Sequence, residues 1–163
     1  MKILFLQTGG TIDKNYEEKA GVYNFTILEP AVKRVLQKIN PSFEFEIETV
    51  LRKDSLDMDD NDRKKVLDAC KNTLFDKIII THGTDTMTKT AKELSSLNGK
   101  TIVLVGSAKP EKFSDTDAQF NIGVAVGAIN VLKSGVYIAM NGRIYDWDKC
   151  VKDPETGRFI DKN

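Results

Sequence analysis

Lys77-Ile78-Ile79-Ile80-Thr81-His82-Gly83-Thr84-Asp85-Thr86-Met87 is the stretch whose reading decides the fold. Three consecutive isoleucines without polar alternation belong to a strand buried on both faces. The run ends in a polar loop with one glycine, after which Met87, Thr90, Ala91, Leu94 and Leu97 trace one helical face until Asn98-Gly99 breaks it. The same unit recurs on either side. Upstream, Ile3 to Leu6 is a short apolar run closed by Thr8-Gly9-Gly10-Thr11, and Val32, Val35, Leu36 and Ile39 mark a helix behind Pro30. Phe43, Phe45 and Ile47 alternate with Glu44, Glu46 and Glu48, the period of a strand with one wet face near a sheet edge. Acidic residues 57–62 precede Val66, Leu67 and Cys70, as suits a helix start. Downstream, Thr101 to Val105 reads as a strand, Ile122, Ala125, Val126, Ile129 and Leu132 as a helix, and Val136 to Met140 as a last strand. The alternation predicts a doubly wound α/β domain, a three-layer sandwich with a largely parallel sheet of about five strands. The tail after Asn141 reads as polar and irregular.

The 163 residues carry 24 Lys plus Arg against 24 Asp plus Glu, a net charge of zero. A balanced surface argues against nucleic acid and anionic membranes as partners, because both are held chiefly by excess cations. The expected partner is a small molecule or another copy of the chain. The length suits one domain, 1–163. Cys70 and Cys150 form no CxxC pair or metal-ligand cluster, which predicts a reducing, cytoplasmic setting and no bound metal. No apolar stretch approaches the roughly 18 residues of a membrane span, and the short run at the N-terminus lacks a cleavage pattern.

In such sheets ligands bind beyond the carboxyl ends of the strands, so function is sought in the loops after Gln7, Thr81, Val105 and Met140. Dinucleotide and Walker fingerprints fail on spacing: Thr11 and Lys14 stand where a dinucleotide loop from Gly9 needs glycines. Thr8-Gly9-Gly10-Thr11-Ile12 sets hydroxyls around two glycines, an arrangement suited to a nucleophile beside oxyanion-binding amides. Read alone, it is also an ordinary strand-to-helix turn. Thr84 and Asp85 similarly read as helix caps, and His82, a lone histidine beside a buried strand, as a structural residue.

Taken together, Thr-Gly-Gly-Thr-Ile after the first strand and His-Gly-Thr-Asp-Thr-Met after a later one resemble the signature pair of the L-asparaginase family. The resemblance extends through Asp54-Ser55-Leu56-Asp57-Met58, Val105-Gly106-Ser107-Ala108-Lys109-Pro110, Phe120-Asn121 and Met140-Asn141, and concerns that family's N-terminal catalytic domain. It implies an amidohydrolase that needs no cofactor and releases ammonia from a small amide such as asparagine. Thr11 falls on the family's nucleophile, Thr84 on its second catalytic threonine, and Lys152 on the lysine paired with that threonine. Asp85 falls on the carboxylate that holds the substrate's α-ammonium and Ser55 on the serine that binds its α-carboxylate. Amides near Thr11 and around Ser107-Ala108 become candidates for the oxyanion. A threonine hydroxyl is a weak nucleophile, and a lysine relaying through Thr84 can take its proton.

The chain departs from the family in three places. Tyr16 and Tyr23 compete for the tyrosine of the mobile loop, the short spacing from Thr11 favouring Tyr16. Leu56 replaces a common glutamine, which leaves open an amidase of different or relaxed specificity. An acidic residue that larger members supply from a second domain has no counterpart in the match, which keeps the same alternative open; a binding module that kept the pocket but lost turnover is a reading from a different class. The family habit of assembly predicts a homodimer or tetramer, with the apolar helix around Ile122 to Leu132 as a candidate interface.

Overall fold

The computed structural model describes residues 1–19 and 22–162, with backbone only at 17–19 and 22–24. Its centre is a six-stranded sheet ordered β4-β1-β5-β6-β7-β8. The strands are β1 (Lys2–Gly9), β4 (Glu44–Lys53), β5 (Lys77–Thr81), β6 (Thr101–Val105), β7 (Gly135–Met140) and β8 (Arg143–Asp146). All neighbouring pairs are parallel except β7 with β8. Four helices flank the sheet: α1 (Ala31–Ile39), α2 (Asp60–Asn72), α3 (Met87–Leu94) and α4 (Ala118–Ile129).

Strand periodicity sorts the apolar runs into two layers. Ile3, Phe5, Ile79, Val103 and Val105 point to one face and pack with α1 and α4 through Val32, Leu36, Ile122 and Ile129. Leu4, Leu6, Ile78, Ile80, Ile102 and Leu104 point to the other and meet Val66, Cys70, Ala91 and Leu94 of α2 and α3. With both faces covered, the central strands have no wet side, which is why their sequences run apolar without alternation. β4 lies at the edge, where its glutamates reach solvent. The start of α2 is fixed by a capping box between Asp59 and Asp62.

The doubly wound reading stands, with one more strand in the sheet than expected. The additional strand, β8, comes from the tail, which is not irregular. Asn141-Gly142, both at positive φ (53° and 80°), make a two-residue hairpin between Met140 and Arg143. A second hairpin follows, β9 (Cys150–Lys152) with β10 (Phe159–Asp161). Tyr145, Cys150 and Phe159 are buried in the α2–α3 layer, and the Tyr145 hydroxyl donates to Phe159 O at 2.7 Å. The segment after Thr11 is likewise an antiparallel hairpin, β2 (Lys14–Lys19) with β3 (Val22–Ile27).

Because the tail closes one end of the core, Phe159→Ala should lower the unfolding free energy by about 3 kcal/mol, while Val151→Ala, on an exposed neighbour, should stay within about 0.5 kcal/mol. Denaturant unfolding measures both, and equal, small effects would show that the tail merely lies on the surface.

Candidate active site

The order β4-β1-β5 places the topological switch point between β1 and β5, and the loops leaving these strands meet there. Thr8 Oγ1 donates to Thr81 O at 2.7 Å, stitching the two strand ends together. Gly10 then takes φ 80° and lies so close to the β5 loop that a Cβ on it would stand 2.2 Å from Gly83 N. Gly83 in turn faces Ser55, with 2.6 Å from its own would-be Cβ to Ser55 Oγ. Only glycine allows both approaches. Three loops thus stack closely, the first two backbone on backbone and the third through the Ser55 side chain, and Thr11 and Thr84 each sit one residue beyond a contact glycine.

Thr84 and Asp85 do not cap α3, whose N-cap position is Thr86. Their partner is Lys152 on β9, whose Nζ donates to Thr84 Oγ1 at 2.9 Å and to Asp85 Oδ1 at 2.6 Å. A cleft of about 460 Å3 is lined by these three residues together with Thr11, Ser107, Asn141 and Arg158. Four sequence-predicted residues, Thr11, Thr84, Asp85 and Lys152, therefore converge with Ser107. Ser107 is buried and spends its hydroxyl on Lys109 O. The Ala108 and Lys109 amides donate to the Asp117 carboxylate at 3.0 and 3.1 Å, so Asp117 already holds the amides expected around Ser107-Ala108 to be free for an oxyanion.

The remaining predicted residues stand apart. Ser55 is fully buried under Gly83, and among the described residues its Oγ has no hydrogen-bond partner. Leu56 is 71% exposed and lines a second cleft of about 780 Å3, which shares Thr11 and Asp85 with the first. Tyr16, on β2, packs edge-on against Phe25 at 4.6 Å between ring centres and tilts against Phe113 at 5.8 Å. Phe25 lines the second cleft. Tyr23 lies in β3 opposite Glu18, but its side chain falls outside the described residues.

Sequence reasoning missed Asn141, Asp117 and Arg158. Asn141-Gly142 is a hairpin signal, and Thr156-Gly157 marks the turn that carries Arg158 to the cleft; read together, they would have folded the tail back. Asp13 was also missed. It is 1% exposed, accepts from Ala31 N–H through Oδ1 and from Thr81 Oγ1 through Oδ2, both at 2.7 Å, and burial pushes its carboxyl up to about 6. His82 is fully buried and structural, as expected. Its Nδ1 faces Gly83 O and its Nε2 faces Thr90 Oγ1, both at 2.8 Å. A carbonyl only accepts, so Nδ1 carries the proton and Nε2 receives the Thr90 hydroxyl. Burial pushes His82 down to about 4 and keeps it neutral.

Fold and site together define a doubly wound α/β domain with a threonine–lysine–aspartate cluster in a cleft at its switch point. Residues 2–157 match the family model described as "Asparaginase, N-terminal", and the chain belongs to the asparaginase family. It is 34% identical over 157 residues to a probable periplasmic L-asparaginase of Haemophilus influenzae, covering 87% of this chain and 43% of that protein. It is 30% identical over 149 residues to a component of the glutamyl-tRNA(Gln) amidotransferase of Methanococcus maripaludis, covering 88% of this chain and 36% of that protein. The solved thermostable L-asparaginase of Thermococcus kodakarensis superposes with a TM-score of 0.86 at 26% identity, over 99% of this chain and 51% of that one. The chain thus spans about half the length of these relatives or less.

The two buried titrating groups oppose one another. Asp13, raised from 3.8 to about 6, binds its proton more tightly when folded, so its contribution to stability falls as pH rises from about 4 to 6. His82, lowered from 6.5 to about 4, binds its proton more tightly when unfolded, so its contribution rises over the same window. Each amounts to about 3 kcal/mol. Between pH 4 and 6, Asp13→Asn should therefore gain stability with pH more steeply than the wild type, by urea unfolding at fixed ionic strength. Parallel pH profiles would rule this out.

Proposed function

We propose that this chain is the catalytic domain of an amidohydrolase that hydrolyses the side-chain amide of L-asparagine to L-aspartate and ammonia, with Thr11 as nucleophile. The observation that carries the reading is the bonding of the Lys152 amine to both Thr84 and Asp85 on the wall of the cleft that Thr11 lines. An amine tied to a hydroxyl beside a second hydroxyl is the apparatus for activating an alcohol.

In this reading the substrate's α-ammonium docks on Asp85, and its positive charge weakens the carboxylate's hold on Lys152. The Lys152 ammonium gives one proton to solvent water through the open cleft, and the neutral amine accepts the Thr11 proton through Thr84. Thr11 Oγ1 forms a bond to the amide carbon, the carbon–nitrogen bond breaks, and ammonia departs with a proton returned along the same path. Water, activated by the same relay, cleaves the ester and restores Thr11. Tyr16 is the tyrosine that closes over the site, supported by its packing on Phe25 at the cleft wall. Tyr23 and Ser107 serve as further binding residues. Ser55 is the partner of the α-carboxylate, supported by its unpartnered hydroxyl and its place between Asp54 and Leu56 of the second cleft's wall; to meet substrate the hydroxyl must turn out from beneath Gly83. Arg158, which lines the same cleft as Thr11, is a second carboxylate partner.

Residues 1–163 act as one catalytic domain, supported by two core layers on a single sheet. A homodimer or tetramer is supported by the outer face of α4 and the turn after it, where Phe120 and Val131 are 64% and 83% exposed. Among the described residues no helix is long and apolar enough to cross a membrane. A cytoplasmic setting is supported by the free, buried thiols of Cys70 and Cys150. Exposed Leu56 on the cleft wall favours one alternative, an amidase of wider specificity.

Ammonia release from L-asparagine and L-glutamine by the full chain tests the reading. Thr11→Val should lower kcat at least about a thousand-fold, and Lys152→Met should lower kcat far more than it raises KM. Ammonia release by Thr11→Val at the wild-type rate removes the nucleophile. A wild type that asparagine protects against heat without releasing ammonia is a binding module.

A further inference from the structure

Asp13 belongs to the same 3-10 turn as Thr11, two residues on, and the turn's middle residue, Ile12, is fully buried. The Asp13 carboxylate is the turn's side-chain tie to the scaffold. Through Oδ2 it accepts the hydroxyl of Thr81, the last residue of β5, three residues before Thr84; through Oδ1 it accepts the first amide of α1. It also sits where β2 departs with Tyr16. One buried carboxylate therefore links the turn that carries Thr11, the strand that delivers Thr84, and the root of the hairpin.

We infer that Asp13 is a positioning residue that sets Thr11 against Thr84 and loosens that setting when it takes up a proton. The inference rests on the functional reading above. A carboxylate satisfies both donors at once, whereas a carboxylic acid presents its own O–H on one oxygen and forces the Thr81 hydroxyl to turn away. No lysine or arginine among the described residues pairs with Asp13 to hold it ionised. Arg34 faces it from α1, engaged with Glu111 at 2.5 Å, and Glu29, Arg34 and Lys112 line the 220 Å3 cavity beside it. Lys14, the next residue, pairs with Asp54 at 2.7 Å. His82, beside Thr81, stays neutral. Burial raises Asp13 to about 6, so the change of state falls roughly two pH units above that of a solvated aspartate.

Two substitutions separate the parts. Asp13→Ala removes the tie and should lower kcat by about ten- to a hundred-fold with KM changed less than about three-fold, the signature of a misplaced reacting group. Asp13→Asn keeps an acceptor for Ala31 but, like the protonated acid, presents a donor where Thr81 needs an acceptor; it should hold kcat at the wild type's acid-side level from pH 5 to 8, removing the limb near pH 6. A readout independent of turnover is the carbon-13 methyl resonance of Thr11, assigned by its loss in Thr11→Val. It should titrate near pH 6 in the wild type and stay fixed in Asp13→Asn. Wild-type kcat in Asp13→Ala, or a Thr11 resonance titrating unchanged in Asp13→Asn, overturns the inference. Absence of ammonia release by the wild type would instead sink the functional reading, and the methyl titration would still decide this one.

Discussion

The cleft end of this domain depends on the contact between two backbones, Gly10 above Gly83. With no side chain at either position, the loops after β1 and β5 approach to a separation that any Cβ would forbid. The contact is fixed by the parallel sheet below it, whose strands β1 and β5 are neighbours in register, Gln7 opposite Thr81. A rigid sheet, a close backbone contact and a threonine one residue past each glycine together place two hydroxyls without any flexible arm. Such a scaffold holds the two hydroxyls at low entropic cost, because their side chains are short and their backbones closely packed.

The titratable groups in and beneath the cleft differ in how they are satisfied. In the cleft, Asp85 and Lys152 are partly open to solvent and face each other across 2.6 Å. Beneath it, Asp13 and His82 are buried, and each is satisfied by neutral donors or acceptors instead of a counter-ion. Buried groups of this kind rigidify the loops only while their hydrogen bonds are complete.

The central strands and four helices were legible because burial on both faces writes itself as apolar runs, and helices on those faces as stripes. Thr11, Thr84, Asp85 and Lys152 were legible through motif and spacing. Ser55 was assigned from motif alone, and the burial of its hydroxyl beneath Gly83 is a property of loop stacking that no local pattern encodes. The β2–β3 hairpin and the three strands of the tail escaped because they are three to six residues long: β2 is charged at four of its six positions, β8 is bounded by Arg143 and Asp146, and β9 and β10 have only three residues each. Their order comes from a few large residues, Tyr145 and Phe159 above all, finding a core built elsewhere. Asp13 escaped for the opposite reason: a charged residue in a turn looks solvated, and only the tertiary structure encloses it.

Lys152 reaches Thr84 across 68 positions of sequence, carried by a hairpin anchored in the core through Cys150 and Phe159. Loops of that span close late, since their entropy must be surrendered before their contacts form. During synthesis the hydroxyls of the first two loops can be in place while the amine is still unfolded. On the proposed reading, the cleft lacks its amine until the β9–β10 hairpin docks, and a chain in which that hairpin is unfolded carries Thr11 without Lys152 to activate it.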